Sequence, residues 1–144
     1  RLRLQDVPRG CRRTLGAILL EPHRSYAPLV LALMRRARIR GLAHITGGGL
    51  LENVPRILPE TIDLRIDTTA WRVPPIFQLI AARGAVPASE MFRVFNMGIG
   101  MVVIVRPADA ARVLAFVRQR RVPATVIGEA VAGRRRVLLE GLAS

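Results

Sequence analysis

His44, Thr46 and the glycine triplet Gly47, Gly48 and Gly49 fall within six consecutive positions of the run Gly41–Pro59. An imidazole can donate, accept or carry charge near neutral pH, and a hydroxyl can do the first two. Glycines permit positive φ and a backbone approach that a Cβ would block. Leu42–Ile45 before the triplet is apolar and strand-like. Leu50–Val54 after it reads as a short helix stopped by Pro55. Strand, glycine loop and helix start together let backbone N–H groups reach a phosphate or another anion. In a strand, His44 and Thr46 share a face with Leu42, opposite Ala43 and Ile45. His44 then has two readings: a donor or acid–base group beside a phosphate, or a buried histidine bonded to a backbone carbonyl. Glu52 suits the helix dipole but repels a phosphate if it faces the loop.

A second group of residues, EMFRVFNMGIGM, occupies Glu90–Met101. Asn96 stands between an apolar helical piece and a strand, and Gly98 and Gly100 flank Ile99. This pattern fits a ligand-facing turn, with Asn96 offering both donor and acceptor. It fits equally a tight helix-to-strand joint that needs small residues. Arg56, after Pro55, either covers an anion or pairs with an acidic neighbour. Arg134–Arg136 reads as a solvated face.

The rest of the composition excludes more than it suggests. Of 144 residues, 23 are basic and 10 acidic, a net charge of +13, and every basic residue is arginine. Without lysine there is no Walker A lysine, Schiff base or pyridoxal site. With only His23 and His44 there is no HExxH zinc site, and none of Ser25, Ser89 and Ser144 lies in a GxSxG elbow. Cys11 is the lone cysteine, which removes internal disulfides and multi-cysteine zinc sites. The chain therefore carries no self-contained catalytic set. Its arginines are dispersed and its aromatics make up 4% of the chain, so no specific nucleic-acid partner is expected. No apolar run approaches the ~20 residues of a membrane span, so no membrane partner is expected either. The chain opens without an initiator methionine or a signal-peptide core, so a piece of a longer cytoplasmic protein is expected.

Around these residues the elements read as follows. Thr14–Leu20 makes one or two helical turns. Ser25–Arg38 is the clearest helix, starting near Tyr26 or Ala27 because Pro28 is tolerated only in a first turn. Strands are expected at Leu42–Thr46, Ile62–Ile66 and Ile99–Val105. In the second of these, Ile62, Leu64 and Ile66 oppose Asp63 and Arg65. Helices are expected at Ile76–Arg83, closed by Gly84, at Pro87–Phe95, capped near Ser89, and at Pro107–Arg120, with Ala111, Val113, Leu114 and Val117 inward. Ala124–Val131 and Arg136–Glu140 are expected to form a hairpin around Ala132–Gly133. The sum is one α/β (α+β) domain over residues 1–144, a mixed sheet covered by helices in three layers. Its closing β-α-β-β run is partly ferredoxin-like.

AHITGGGLLENVPRILPE (Ala43–Glu60) and FNMGIGMVVIV (Phe95–Val105) closely resemble the C-terminal domain of aminoimidazole ribonucleotide synthetase, the phosphoribosylformylglycinamidine cyclo-ligase family. TLGAILLEP (Thr14–Pro22), Trp71 with Pro74–Phe77, Glu90–Met91 and IGEAVAG (Ile127–Gly133) are similar in order and spacing, so the likeness covers about Gly10 to Gly141. Pro22-His23-Arg24-Ser25-Tyr26 departs from it, standing where Pro-Thr-Arg-Ile-Tyr is expected. The resemblance implies an ATP-driven ligase of de novo purine synthesis that closes formylglycinamidine ribonucleotide to aminoimidazole ribonucleotide. It implies a homodimer whose N-terminal domain, absent from this chain, holds most of the ATP and Mg2+ site. On this chain it implies phosphate or substrate binding by Thr46, Gly47, Gly48, Gly49, Asn53, Arg56, Asn96, Met97, Gly98 and Gly100. His44 would assist charge or proton movement, and no metal ligand is implied. The alternatives are a superfamily relative of the selenophosphate synthetase or thiamine-monophosphate kinase type, or a non-enzymatic basic binding module.

Overall fold

The computed structural model describes residues 2–142. Helices α1 (Leu15–Leu19) and α2 (Ala27–Met34) lead to strand β1 (Gly41–His44), helix α3 (Gly49–Asn53), a 3-10 turn (Pro55–Ile57) and strand β2 (Ile62–Asp67). Helices α4 (Pro75–Gly84) and α5 (Ala88–Val94), strand β3 (Met101–Ile104), helix α6 (Pro107–Gln119) and strands β4 (Gly128–Ala132) and β5 (Val137–Glu140) complete it.

The α/β class is as expected, with the strands divided between two sheets. β1 pairs antiparallel with β3, setting His44 opposite Met101. β2 is the middle strand of the other sheet, antiparallel to β4 and parallel to β5. The expected β4–β5 hairpin is therefore corrected: β2 lies between the two strands. The reason lies in Asp63. Its carboxylate accepts the N–H groups of Arg134 at 2.6 Å and Arg136 at 2.7 Å, and the Arg136 guanidinium at 3.1 Å. Gly133 completes the wrap by donating to Thr61 O at 2.8 Å. Residues 133–136 thus pass across the start of β2 instead of turning tightly. The same bonds explain why Asp63, placed by alternation on the polar face, is buried. They hold its carboxyl below the ordinary carboxylate range, the Arg136 N–H contributing most.

The main core joins Ala43 and Ile45 at the β1 end, Leu50 and Val54 of α3, Leu64 and Ile66 of β2, and Met91 and Phe92 of α5. Burying each large apolar side chain contributes about 1.5–3 kcal/mol. A smaller cluster joins Leu33 of α2 to Phe116 and Val117 of α6. Here the expected inward face of α6 is rotated. Ala111 is exposed, while Asp109, Phe116 and Val117 are buried, with Val113 packed against that cluster. These positions follow the i, i+4, i+7, i+8 stripe of a packed helix. α2 is shorter than read, ending at Met34. At the end of α4 it is Ala85, not Gly84, that takes the left-handed conformation, at φ 49°. The α5 N-cap is Pro87, without a side-chain cap from Ser89.

Candidate functional site

β1 delivers the chain into the glycine loop with the expected alternation. Ala43 and Ile45 are buried, while His44 and Thr46 are exposed. His44 is therefore not a core histidine bonded to a carbonyl, which removes one of its two sequence readings. Gly49 donates to Thr46 O at 3.1 Å, closing the turn, while the N–H groups of Gly47 and Gly48 take no backbone partner among the described residues. Gly48 has φ 91° and Gly49 φ 55°, both in the left-handed region that glycine occupies without strain. Gly49 also needs to be glycine for space. A Cβ there would strike Phe92 O and come within 2.7 Å of Phe95 O, two backbone atoms of the facing α5 end.

Asn53 holds this loop from beneath. It is buried, and its amide donates to Gly49 O at 2.8 Å and to Gly47 O at 3.1 Å. The structure thus turns the Asn53 amide toward the loop's own carbonyls. Glu52 is exposed, and a Cβ on Gly48 would lie 2.6 Å from its Oε2, so its carboxylate faces the loop. Arg56 is exposed and forms no ion pair among the described residues.

The second group of residues arrives beside the first. Ile45 donates to Gly100 O at 3.0 Å, so the Asn96–Gly100 turn and the glycine loop are bonded neighbours. Asn96 Oδ1 accepts the Gly98 N–H at 2.9 Å, and Asn96 O accepts the Ile99 N–H at 2.9 Å. Met97 adopts φ 50° and Gly98 φ 96°. Trp71 Nε1 donates to Met97 O at 3.0 Å and fixes the turn from behind, with the Met97 side chain buried. Gly98 and Gly100 are both close-approach positions: a Cβ at Gly98 would meet Pro74 Cδ at 2.5 Å, and one at Gly100 would strike the Tyr26 hydroxyl. The joint is tight, as one sequence reading of this turn has it, and its Asn96 also lines the cleft.

That cleft is open and holds about 450 Å³. Its polar wall is His23, Thr46, Gly47 and Asn96, and its apolar wall is Phe77, Val94 and Phe95 with Ile45. Of the sequence-predicted residues, Thr46, Gly47 and Asn96 line it; Gly48, Gly49 and Asn53 shape the loop; Met97, Gly98 and Gly100 shape the opposing turn. His23 was missed as a wall residue, because it lies 21 positions from His44 and belongs to neither motif. His23 Nε2 and His44 Nε2 are 2.7 Å apart, and Tyr26 presents its ring edge-on to both. A smaller groove of about 340 Å³ between α2 and α6 is lined by Leu33, Phe116 and arginines, and shares no residue with the glycine loop. Among the described residues no three His, Cys, Asp or Glu side chains come together as a metal site. No helix among them is long and apolar enough to cross a membrane.

A glycine loop and a turn with left-handed Met97 and Gly98, bonded together at one open cleft, are set within an α/β domain. The chain belongs to the family described as AIR synthase related protein, C-terminal domain, whose model matches residues 3–139. Among similar proteins, the phosphoribosylformylglycinamidine cyclo-ligase of Carboxydothermus hydrogenoformans is 49% identical over 127 residues, covering 88% of this chain and 37% of the relative. The protein of that name from Alkaliphilus oremlandii is 41% identical over 138 residues, covering 96% of this chain and 40% of the relative. The chain thus spans well under half of these relatives. Two crystal structures of HypE, a hydrogenase maturation protein of E. coli, align with TM-scores of 0.61 and 0.63 at 23% and 21% identity. They cover 81% and 90% of this chain and 36% and 42% of theirs, and show a shared fold.

Proposed function

We propose that this chain is the substrate- and phosphate-binding domain of a phosphoribosylformylglycinamidine cyclo-ligase. The enzyme would close formylglycinamidine ribonucleotide to aminoimidazole ribonucleotide in purine synthesis, in the cytoplasm and as a homodimer. The observation that carries this reading is the meeting of the Thr46–Gly49 loop and the Asn96–Gly100 turn at one cleft. The names and identities of the relatives support it.

In this reading Thr46 and the Gly47 and Gly48 N–H groups bind a phosphate, either the ribonucleotide's own or the one transferred. Gly49 and Asn53 hold the loop in shape, and Asn96 orients the substrate from the opposite wall. Met97, Gly98 and Gly100 keep that wall rigid, Arg56 supplies an unpaired cation near the α3 end, and His44 assists charge or proton movement. ATP would supply the phosphoryl group that activates the formyl oxygen; an intramolecular amidine nitrogen of the open-chain substrate would then attack the formyl carbon, and the formyl oxygen would leave as phosphate. In this reading ATP and Mg2+ would be held mainly by an N-terminal domain, as the resemblance to the cyclo-ligase family implies.

The test is a chimera of the N-terminal part of the Carboxydothermus relative and this chain, produced in a purine auxotroph that lacks the cyclo-ligase. Growth without added purine is expected. A chimera that accumulates as folded protein yet leaves the auxotrophy intact would count against the reading.

A further inference from the structure

His23 is the titratable side chain among the cleft-lining residues, and His44, which is not among them, meets it through Nε2. At 2.7 Å between two Nε2 atoms, one ring must donate and the other accept. The neutral pair therefore carries one proton between its Nε2 atoms and a second at one Nδ1. A further proton can be taken up at the other Nδ1, raising the pair from neutral to singly positive with the Nε2 bond intact. A double charge would set two N–H groups against each other and break the bond. Tyr26 frames the pair, its ring 6.0 Å from that of His23 and 6.2 Å from that of His44. Its hydroxyl packs against Gly100, where no Cβ fits. The residues that line the cleft with His23 include Thr46, Phe77, Phe95 and Asn96, and none of the lining residues is a carboxylate.

We propose that His23 is the imidazole this domain presents to an anionic ligand and that His44 is a positioning residue acting through it, the two sharing one proton. The proposal rests on the reading of the cleft as a ligand site and refines which histidine touches the ligand. It also gives His23, the departure from the expected Pro-Thr-Arg-Ile-Tyr pattern, a chemical role. With one proton added, the pair is a singly positive donor beside the Gly47 amide, suited to a phosphate monoester.

The test uses this chain, labelled on its histidine nitrogens, with ribose 5-phosphate as the probe. Before the probe is added, one Nε2 is expected to be protonated and the other bare, with a proton coupled to both rings. His44→Gln is expected to alter the His23 nitrogens directly. Two rings with independent tautomer equilibria, each indifferent to substitution of the other, would overturn the pair. On adding the probe, His23 and the Thr46 and Gly47 amides are expected to shift together. His23→Ala is expected to weaken binding about tenfold, the scale of one charge-assisted hydrogen bond, and His23→Gln to recover part of that loss. Loop amides that shift with unchanged affinity in His23→Ala would overturn the role of His23 while sparing the reading of the cleft. No shift anywhere in the cleft would overturn both.

Discussion

Asn53 reaches up from α3 and donates to Gly49 O at 2.8 Å, and its second amide hydrogen goes to Gly47 O at 3.1 Å. The loop that reads as an anion cradle is thus fastened by a side chain from the helix it precedes. Asn53→Asp replaces two donors by an acceptor facing two carbonyls in a buried site. A loss of about 2–3 kcal/mol is expected in urea unfolding, with the Gly49 amide, bonded to Thr46 O, exchanging faster. Unchanged exchange would mean that the loop holds its shape without this fastening.

Gly49→Ala is expected to be the most damaging single-methyl addition in the loop. Its φ is positive, and the added Cβ meets the backbone carbonyls of Phe92 and Phe95, which cannot rotate away as a side chain would. Strain in the left-handed region and overpacking together cost about 3 kcal/mol. Gly47→Ala meets nothing within 4 Å and is expected to fold normally. Comparing the two melting curves checks the prediction.

Glu52 brings a carboxylate to the face of Gly48. If the loop binds phosphate, removing that charge lowers the repulsion. Glu52→Gln is expected to tighten ribose 5-phosphate binding a few-fold at low salt, an effect that shrinks as salt rises. A weakened affinity would point to a different seat for the anion.

Asp63 ties residues 134–136 across β2, and its folded-state carboxyl is held below the ordinary range by the Arg136 and Arg134 N–H groups and the Arg136 guanidinium. A depressed carboxyl stabilises the fold above its unfolded value of about 4, and that contribution is lost as pH falls through the folded value. Asp63→Asn is therefore expected to lower the melting temperature by several degrees at pH 7 and to flatten its decline below about pH 4. Parallel melting-temperature profiles for the two proteins would show that the carboxylate has no such role.

Much of this architecture is legible in the chain because local rules act alone there. Ile62, Leu64 and Ile66 alternate, and a strand follows. Pro28 sits where only a helix start tolerates it, and α2 starts at Ala27. The glycine loop and the Asn96–Gly100 turn are readable because positive φ and close packing leave few residue choices. What stays hidden depends on partners distant in sequence. The insertion of β2 between β4 and β5 rests on Asp63 meeting residues 71 and 73 positions away. The inward turn of Phe116 depends on Leu33 of α2. His23 gains meaning only when folding brings it to His44.

The most direct measurement of the central claim is an assay in trans. This chain would be mixed with the separately produced N-terminal part of the Carboxydothermus relative, and ATP-dependent formation of aminoimidazole ribonucleotide followed. The account predicts no product from either component alone and product from the mixture. A mixture that associates and binds formylglycinamidine ribonucleotide yet makes no product, while the relative's own two parts do so under the same conditions, would contradict it.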